Sequence, residues 1–209
     1  MNHSCPLCSN KGLLIFHDDK HTFYQCNVCK GIFRDSSELL NKPEEKDRYY
    51  LHQNHINDFG YIKFADPILS EVKKHFNETH KGLDFGAGHT PVISEILKRD
   101  NFNIEIYDPL FFNDQKVLDK KYDFITSCEV IEHFYNPKKE FELLYNLLNP
   151  NGKLICMTDI FNGSDFDSWY YKTDPTHVFL YQKETLHWIK DYFGFSGIII
   201  DERLITFTR

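Results

Sequence analysis

No stretch of this 209-residue chain approaches the roughly 18 consecutive apolar residues of a membrane-spanning helix. A membrane partner is therefore not expected. The start, Met1-Asn2-His3-Ser4-Cys5-Pro6, lacks the basic opening and apolar stretch of an export signal, so a cytoplasmic protein is expected. Positive charge is scarce: 24 Lys and Arg face 31 Asp and Glu, for a net charge of −7. That balance speaks against a protein that works by gripping a nucleic-acid backbone. There is no internal repeat and no low-complexity tract. Apolar and aromatic residues are plentiful, with 19 Phe and 12 Tyr, enough to bury a core and too many for a disordered chain.

The cysteines carry the first chemical signal. Cys5-Pro-Leu-Cys8 and Cys26-Asn-Val-Cys29 are two C-x2-C pairs separated by 17 residues, the spacing of a tetrahedral zinc site. Two intervening residues let a tight turn aim both sulfurs at one ion, and a hairpin brings two such turns together. Leu13-Leu14-Ile15-Phe16, Asp18-Asp19-Lys20 and Thr22-Phe23-Tyr24 read as that hairpin, and Gly31 suits the turn after the second pair. Without an export signal, zinc is preferred to two disulfides. Cys5, Cys8, Cys26 and Cys29 are the expected ligands. Cys128 and Cys156 lie in strand-like apolar segments and read as small buried hydrophobes. Residues 1–34 carry a net +2, which four zinc-bound thiolates offset. The module is a staple or a wall of a site rather than a nucleic-acid reader.

Residues 35–63 are polar but contain Tyr49, Tyr50, Phe59, Tyr61 and, just beyond, Phe64. They read as a linker whose aromatics pack it down or cover a site. The polar run includes His52-Gln53-Asn54-His55. From 64 to 209 helical and strand patterns alternate, and Ile198-Ile199-Ile200 and Leu204-Ile205-Thr206-Phe207 form a final hairpin. The expected fold is α/β, a Rossmann-like, mostly parallel sheet with an antiparallel terminal hairpin, plus the small N-terminal ribbon.

The turn Leu83-Asp84-Phe85-Gly86-Ala87-Gly88-His89-Thr90-Pro91 follows a strand and opens a helix. Gly86 and Gly88 let the backbone approach a ligand. Asp84 is placed to accept from an ammonium. Asp108, twenty residues after Gly88, is placed to take two ribose hydroxyls. Pro91 stands where a dinucleotide fingerprint has its third glycine, and the Gly-Lys-Ser/Thr of a phosphate-binding loop is absent. The better match is S-adenosylmethionine, with its ribose, adenine and cationic amino-acid tail.

With these residues in register the chain resembles the class I S-adenosylmethionine-dependent methyltransferases. Leu83 to Gly88 looks like their first motif. Tyr122-Asp123-Phe124-Ile125 with Glu129-Val130-Ile131-Glu132-His133-Phe134 looks like their fourth strand and its E-V-x-E-H continuation. Leu147-Leu148-Asn149-Pro150-Asn151-Gly152-Lys153-Leu154 resembles the approach to strand five. The resemblance covers about 64–209. It implies that Asp84, Gly86, Ala87, Gly88, Asp108, Pro109, Cys128 and Glu129 lie along the cofactor. Relatives with zinc ribbons include ribosomal RNA and sugar methyltransferases. Two departures stand out. Thr90 replaces a motif glycine. Only residues 109–121 separate strands two and four, so one αβ unit is shortened and Phe111, Phe112 and Asp114 become candidates for the adenine pocket.

The sulfonium activates the methyl itself, so the protein mainly aligns acceptor, methyl and sulfur. His133 or His177 is the expected general base, oriented by Glu132 or Asp174. Asp159 and the aromatic loop Asp167 to His177 are further candidates for the substrate wall. The expected acceptor is a small molecule or metabolite. The alternatives are an RNA or protein methyltransferase docking through the ribbon, and a non-catalytic protein of this fold. The sequence carries no signal for oligomeric state.

Overall fold

The computed structural model describes residues 3–50, 58–163 and 165–209, so His52 to His55 lie outside the described residues. Near the N-terminus β1 (Gly12–His17) and β2 (Thr22–Cys26) form an antiparallel hairpin, extended by β3 (Ile32–Arg34). The Asp18 carboxylate holds the hairpin turn by accepting from the amides of Lys20 and His21 at 2.8 and 2.6 Å. The residue with left-handed backbone after the second cysteine pair is Lys30 (φ 61°), matching Ser9 (φ 62°) after the first. Gly31 serves a different purpose from the one expected of it. A Cβ there would lie 2.3 Å from the ring of Phe179, which packs on the ribbon from far along the chain.

An Asn41–Glu44 capping box opens α1 (Lys42–Tyr49). Asp58 accepts from the amides of Gly60 and Tyr61 and opens α2 (Phe59–His75), which buries Ala65, Ile68, Leu69 and Val72 on one face. The chain continues through β4 (Lys81–Phe85), α3 (Val92–Arg99), β5 (Asn103–Tyr107), β6 (Tyr122–Cys128), α4 (Pro137–Leu147), β7 (Leu148–Met157), β8 (Phe179–Leu180), α5 (Lys183–Phe193), β9 (Gly197–Asp201) and β10 (Leu204–Thr208). The main sheet has the order β5-β4-β6-β7-β10-β9. Its first four strands are parallel and its last two antiparallel. Leu83, Phe124, Ile125, Leu154 and Ile155 are fully buried, as strands covered on both faces require.

Two features position the site. The chain leaves β4 toward β5 on one side and returns to β6 on the other, which opens a crevice at the carboxyl ends of these strands. Only a 3-10 turn, Gln115–Asp119, lies between β5 and β6, so β5 is the sheet edge and one αβ unit is shortened. The short β8 does not join this sheet. It pairs antiparallel with β3, giving a ribbon sheet of order β1-β2-β3-β8. No helix among the described residues is long and apolar enough to cross a membrane.

Candidate functional site

After Phe85 the chain turns through Gly86 (φ 79°) and Gly88 (φ 65°), a conformation that costs a side-chain-bearing residue about 1–2 kcal/mol. The two glycines answer different constraints. A Cβ at Gly86 would lie 2.4 Å from Val130, whereas at Gly88 it would meet nothing within 4 Å. Asp108 follows β5 and accepts from the Gly88 amide at 3.0 Å and from the amides of Leu110 and Phe111 at 2.8 and 3.1 Å. This loop and Asp108 border a cavity of about 1010 Å³, whose walls also include Ala87, Pro109, Cys128, Glu129, His133 and His177. Burial pushes the Cys128 thiol well up.

Asp84 corrects its expected place against an ammonium. It lies outside the cavity wall, and its carboxylate accepts from the Ser94 amide at 3.2 Å and the Thr126 hydroxyl at 3.0 Å. It ties β4 to α3 and β6, and burial pushes its carboxyl up to about 6. Of the adenine-pocket candidates, Phe111 lines the cavity, while Phe112 and Asp114 border a separate depression beside β5.

Deeper in the crevice, Glu132 is fully buried. Its Oε2 accepts from the Thr158 hydroxyl at 3.0 Å and its Oε1 from the Tyr171 hydroxyl. The Tyr171 oxygen also lies 3.0 Å from Glu129 Oε2, so one phenolic proton faces two carboxyls. Burial pushes both Glu129 and Glu132 up to about 7, and for Glu129 the charge of Glu132 adds to the rise. His133 Nδ1 donates to the Thr176 carbonyl at 2.8 Å and His177 Nδ1 to the Tyr171 carbonyl at 2.7 Å, because a carbonyl only accepts. Each Nε2 then points to Glu132 Oε1, from 3.9 and 4.0 Å. Burial lowers both rings, His177 to about 4 with a further contribution from His133.

Asp174, expected to orient a histidine, makes other bonds. It accepts from the amide and hydroxyl of Thr176 at 2.9 and 2.6 Å and from Arg48 at 2.9 Å. Burial raises its carboxyl, but these donors outweigh burial and hold it below the usual range. Asp159 lies 3.8 Å from Arg203 and is not part of the cavity wall.

Three residues the sequence did not single out shape the site. Tyr171 lies within the loop read as a substrate wall, but its place between two glutamates is tertiary. Arg203, from the turn between β9 and β10, reaches Glu129 at 2.6 Å, and Glu129 Oε1 is buried without a partner. Arg34 of β3 is buried and donates to the carbonyls of Lys172, Asp174 and His177 at 2.9, 2.9 and 3.2 Å. The cavity wall also takes Lys42, Glu45, Arg48 and Tyr49 from α1, and Tyr61 and Phe64 from α2. Tyr50 stays half exposed against Phe111, and Phe59 faces outward.

At the ribbon, the sulfurs of Cys5, Cys8, Cys26 and Cys29 lie within 4.8 Å of one another. Cys5 and Cys29 are 3.5 Å apart, Cys8 and Cys26 3.2 Å, and the Val28 amide donates to Cys26 Sγ at 3.4 Å. Four soft donors closing on one point can hold a metal.

The family described as a methyltransferase domain matches residues 52–198. No curated protein matches the chain. Solved structures share the fold at low identity. An O-methyltransferase family protein from Burkholderia thailandensis aligns with a TM-score of 0.54 and 12% identity over 78% of this chain and 61% of its own. A SAM-dependent methyltransferase from Archaeoglobus fulgidus gives 0.53 and 15% over 73% and 100%. The 1,6-didemethyltoxoflavin-N1-methyltransferase of Burkholderia thailandensis, with bound 1,6-didemethyltoxoflavin and S-adenosylhomocysteine, gives 0.52 and 10% over 94% and 98%. This chain spans less than two thirds of the length of the first of these.

Proposed function

We propose that this chain, which belongs to the methyltransferase-domain family, transfers a methyl group from S-adenosylmethionine to a small-molecule acceptor. The observation that carries the reading is a single cavity whose wall holds both Gly86, Gly88 and Asp108 and the histidines His133 and His177. The residues present fit the cofactor. The space beside Gly88 is open, Asp108 lines the wall, and Glu129 offers a buried oxygen with no partner. In this reading Asp108 holds the ribose, Ala87, Pro109 and Cys128 form the walls, and Glu129 meets the cationic tail. Asp84 braces the loop from behind.

When bound, S-adenosylmethionine supplies a methyl group made electrophilic by its sulfonium. The chain's task is to hold an acceptor in line and to shield it, and alignment of this kind supplies much of the barrier reduction. Where the acceptor has a proton to lose, His133 or His177 takes it at Nε2, the ring atom left free by the Nδ1 bond to a backbone carbonyl. Glu132 stabilises the resulting imidazolium. The aromatic wall of Tyr49, Tyr61, Phe64 and Tyr171 suits a small organic acceptor better than a polyanion. The fold relative solved with bound 1,6-didemethyltoxoflavin is consistent with that class.

In the same reading residues 1–34 are a zinc ribbon, 35–63 a cover and 64–209 the transferase unit. Cys5, Cys8, Cys26 and Cys29 would hold Zn2+ as a structural staple, since four thiol ligands leave no coordination position open.

Calorimetric titration with S-adenosylmethionine tests the reading. Wild-type protein binds, and Asp108→Ala weakens binding by roughly tenfold to several hundredfold, the worth of one or two hydrogen bonds to a charged acceptor. Labelled methyl transfer into a metabolite extract then identifies the acceptor. Lack of binding by the wild type would sink the proposal.

A further inference from the structure

Glu132 is a carboxyl with no exposed surface, and among the described residues no lysine or arginine forms an ion pair with it. Among the described residues only the two histidines approach it as basic groups. Arg203, the arginine of this cluster, is taken by Glu129 at 2.6 Å. A buried carboxylate is costly unless it is paired with a cation, coordinates a metal or takes up a proton, and a metal at this point would relieve the cost without protonation.

The atoms that face Glu132 sharpen the point. Both Nδ1 atoms donate to backbone carbonyls, so the neutral rings present lone pairs at Nε2. These lone pairs and the lone pairs of Glu132 Oε1 converge, with ligand atoms of Glu132, His133 and His177 all within 4.8 Å of one another. Neither Nε2 makes a hydrogen bond among the described residues, and the donor on Glu132 Oε1 is the Tyr171 hydroxyl rather than either ring. Separations of 3.9 and 4.0 Å are too long for a shared proton. They are near the spacing of atoms that share an ion: two ligands each about 2.1 Å from one metal lie about 3.0–3.4 Å apart at right-angled to tetrahedral geometry. A bound ion would have to draw these ligand atoms closer together.

We infer that Glu132, His133 and His177 form a second metal site, separate from the cysteine cluster, for one divalent first-row transition ion such as Zn2+. Two imidazoles and a carboxylate suit such an ion better than Ca2+ or Mg2+, which prefer oxygen ligands. The outer partners that orient metal ligands are already in place: a backbone carbonyl on each Nδ1 and the Thr158 hydroxyl on Glu132 Oε2. Three protein ligands leave a coordination position open, and the two histidines line the cavity into which it faces. The inference stands on these three side chains and not on the methyl-transfer reading.

Cobalt titrated into the full-length protein, with the cysteine cluster left in its purified state, tests it. The expected result is one equivalent of Co2+ that gives weak visible d–d bands without the near-ultraviolet thiolate-to-cobalt band. His133→Asn and His177→Asn each keep a nitrogen donor where Nδ1 sits and delete Nε2, so each abolishes that equivalent. Near-ultraviolet circular dichroism checks that the variants remain folded, and the nearly isosteric Glu132→Gln carries the same test if either does not. The site is disproved if wild-type protein shows no thiolate-free cobalt band. It is equally disproved if the band survives the substitutions undiminished.

Discussion

The guanidinium Nε of Arg34 donates to the backbone carbonyl of His177 at 3.2 Å, across 143 positions of sequence. The same side chain binds the carbonyls of Lys172 and Asp174, and its Nη1 donates to His21 Nδ1 at 2.7 Å. The ribbon thereby fixes the loop that carries His177. Pairing of β3 with β8 just beyond that histidine reinforces the link.

Arg34→Ala leaves three carbonyls of this loop short of a donor. Hydrogen bonds to a charged group contribute about 1.5–3 kcal/mol each, so urea unfolding should show a loss of several kcal/mol. Methyl transfer should fall while S-adenosylmethionine affinity stays within about twofold, because Gly86, Gly88 and Asp108 lie on other elements. A matching loss of cofactor affinity would mean that the ribbon acts on the whole fold and not on this loop.

Gly86 and Gly88 should respond differently to alanine. Gly88→Ala incurs the left-handed backbone penalty of about 1–2 kcal/mol and places its methyl in open space beside the cavity. Cofactor binding should therefore weaken more than the fold does. Gly86→Ala adds a 2.4 Å clash with Val130 to the same backbone penalty, so it should lower the melting temperature further. Equal melting temperatures for the two variants would contradict this division.

Asp84 predicts a stability effect with a definite sign. Its folded carboxyl lies at about 6, above the unfolded value of about 3.8. The favourable contribution is therefore complete below about pH 4 and is lost as pH rises through about 6, on the order of 3 kcal/mol in all. Asp84→Asn removes this titration. The difference in unfolding free energy between variant and wild type should change across pH 4–6 and be level above pH 7. A difference that does not vary with pH would refute the assignment.

Zinc added beyond the equivalent proposed for the cysteines should slow transfer to an acceptor that must lose a proton. A metal on His133 and His177 takes both Nε2 lone pairs, and loss of a general base costs about 10²–10⁴-fold. A chelator too weak to strip the cysteine site should restore the rate. Acceleration by zinc would remove proton acceptance from these histidines while leaving the metal site standing.

Much of the fold was legible because its signals are local. The β4 turn is visible in Gly86 and Gly88, whose φ values of 79° and 65° suit glycine. The two cysteine pairs announce converging sulfurs because two intervening residues dictate a tight turn. The shortened unit before β6 follows from counting residues 109–121. Asp84 misled for an equally physical reason: a carboxylate at a strand end can face a ligand or the helix behind it, and neighbouring residues do not distinguish the two. Gly31 misled likewise, since its constraint comes from Phe179 and not from its own turn. Arg203 carried no signal at all, being one arginine in a terminal hairpin.

Sequence alone determined the alternation of strands and helices, the cysteine knuckles and the glycine turn. Each is set by steric and hydrophobic preferences acting over a few residues. Tertiary structure alone decided that Glu132 meets His177 from 45 positions away, that Arg34 reaches the same loop, and that β8 leaves the main sheet for the ribbon. Those contacts depend on how the sheet's crossovers and the ribbon pack against each other, and no local preference encodes a distance between side chains so far apart along the chain.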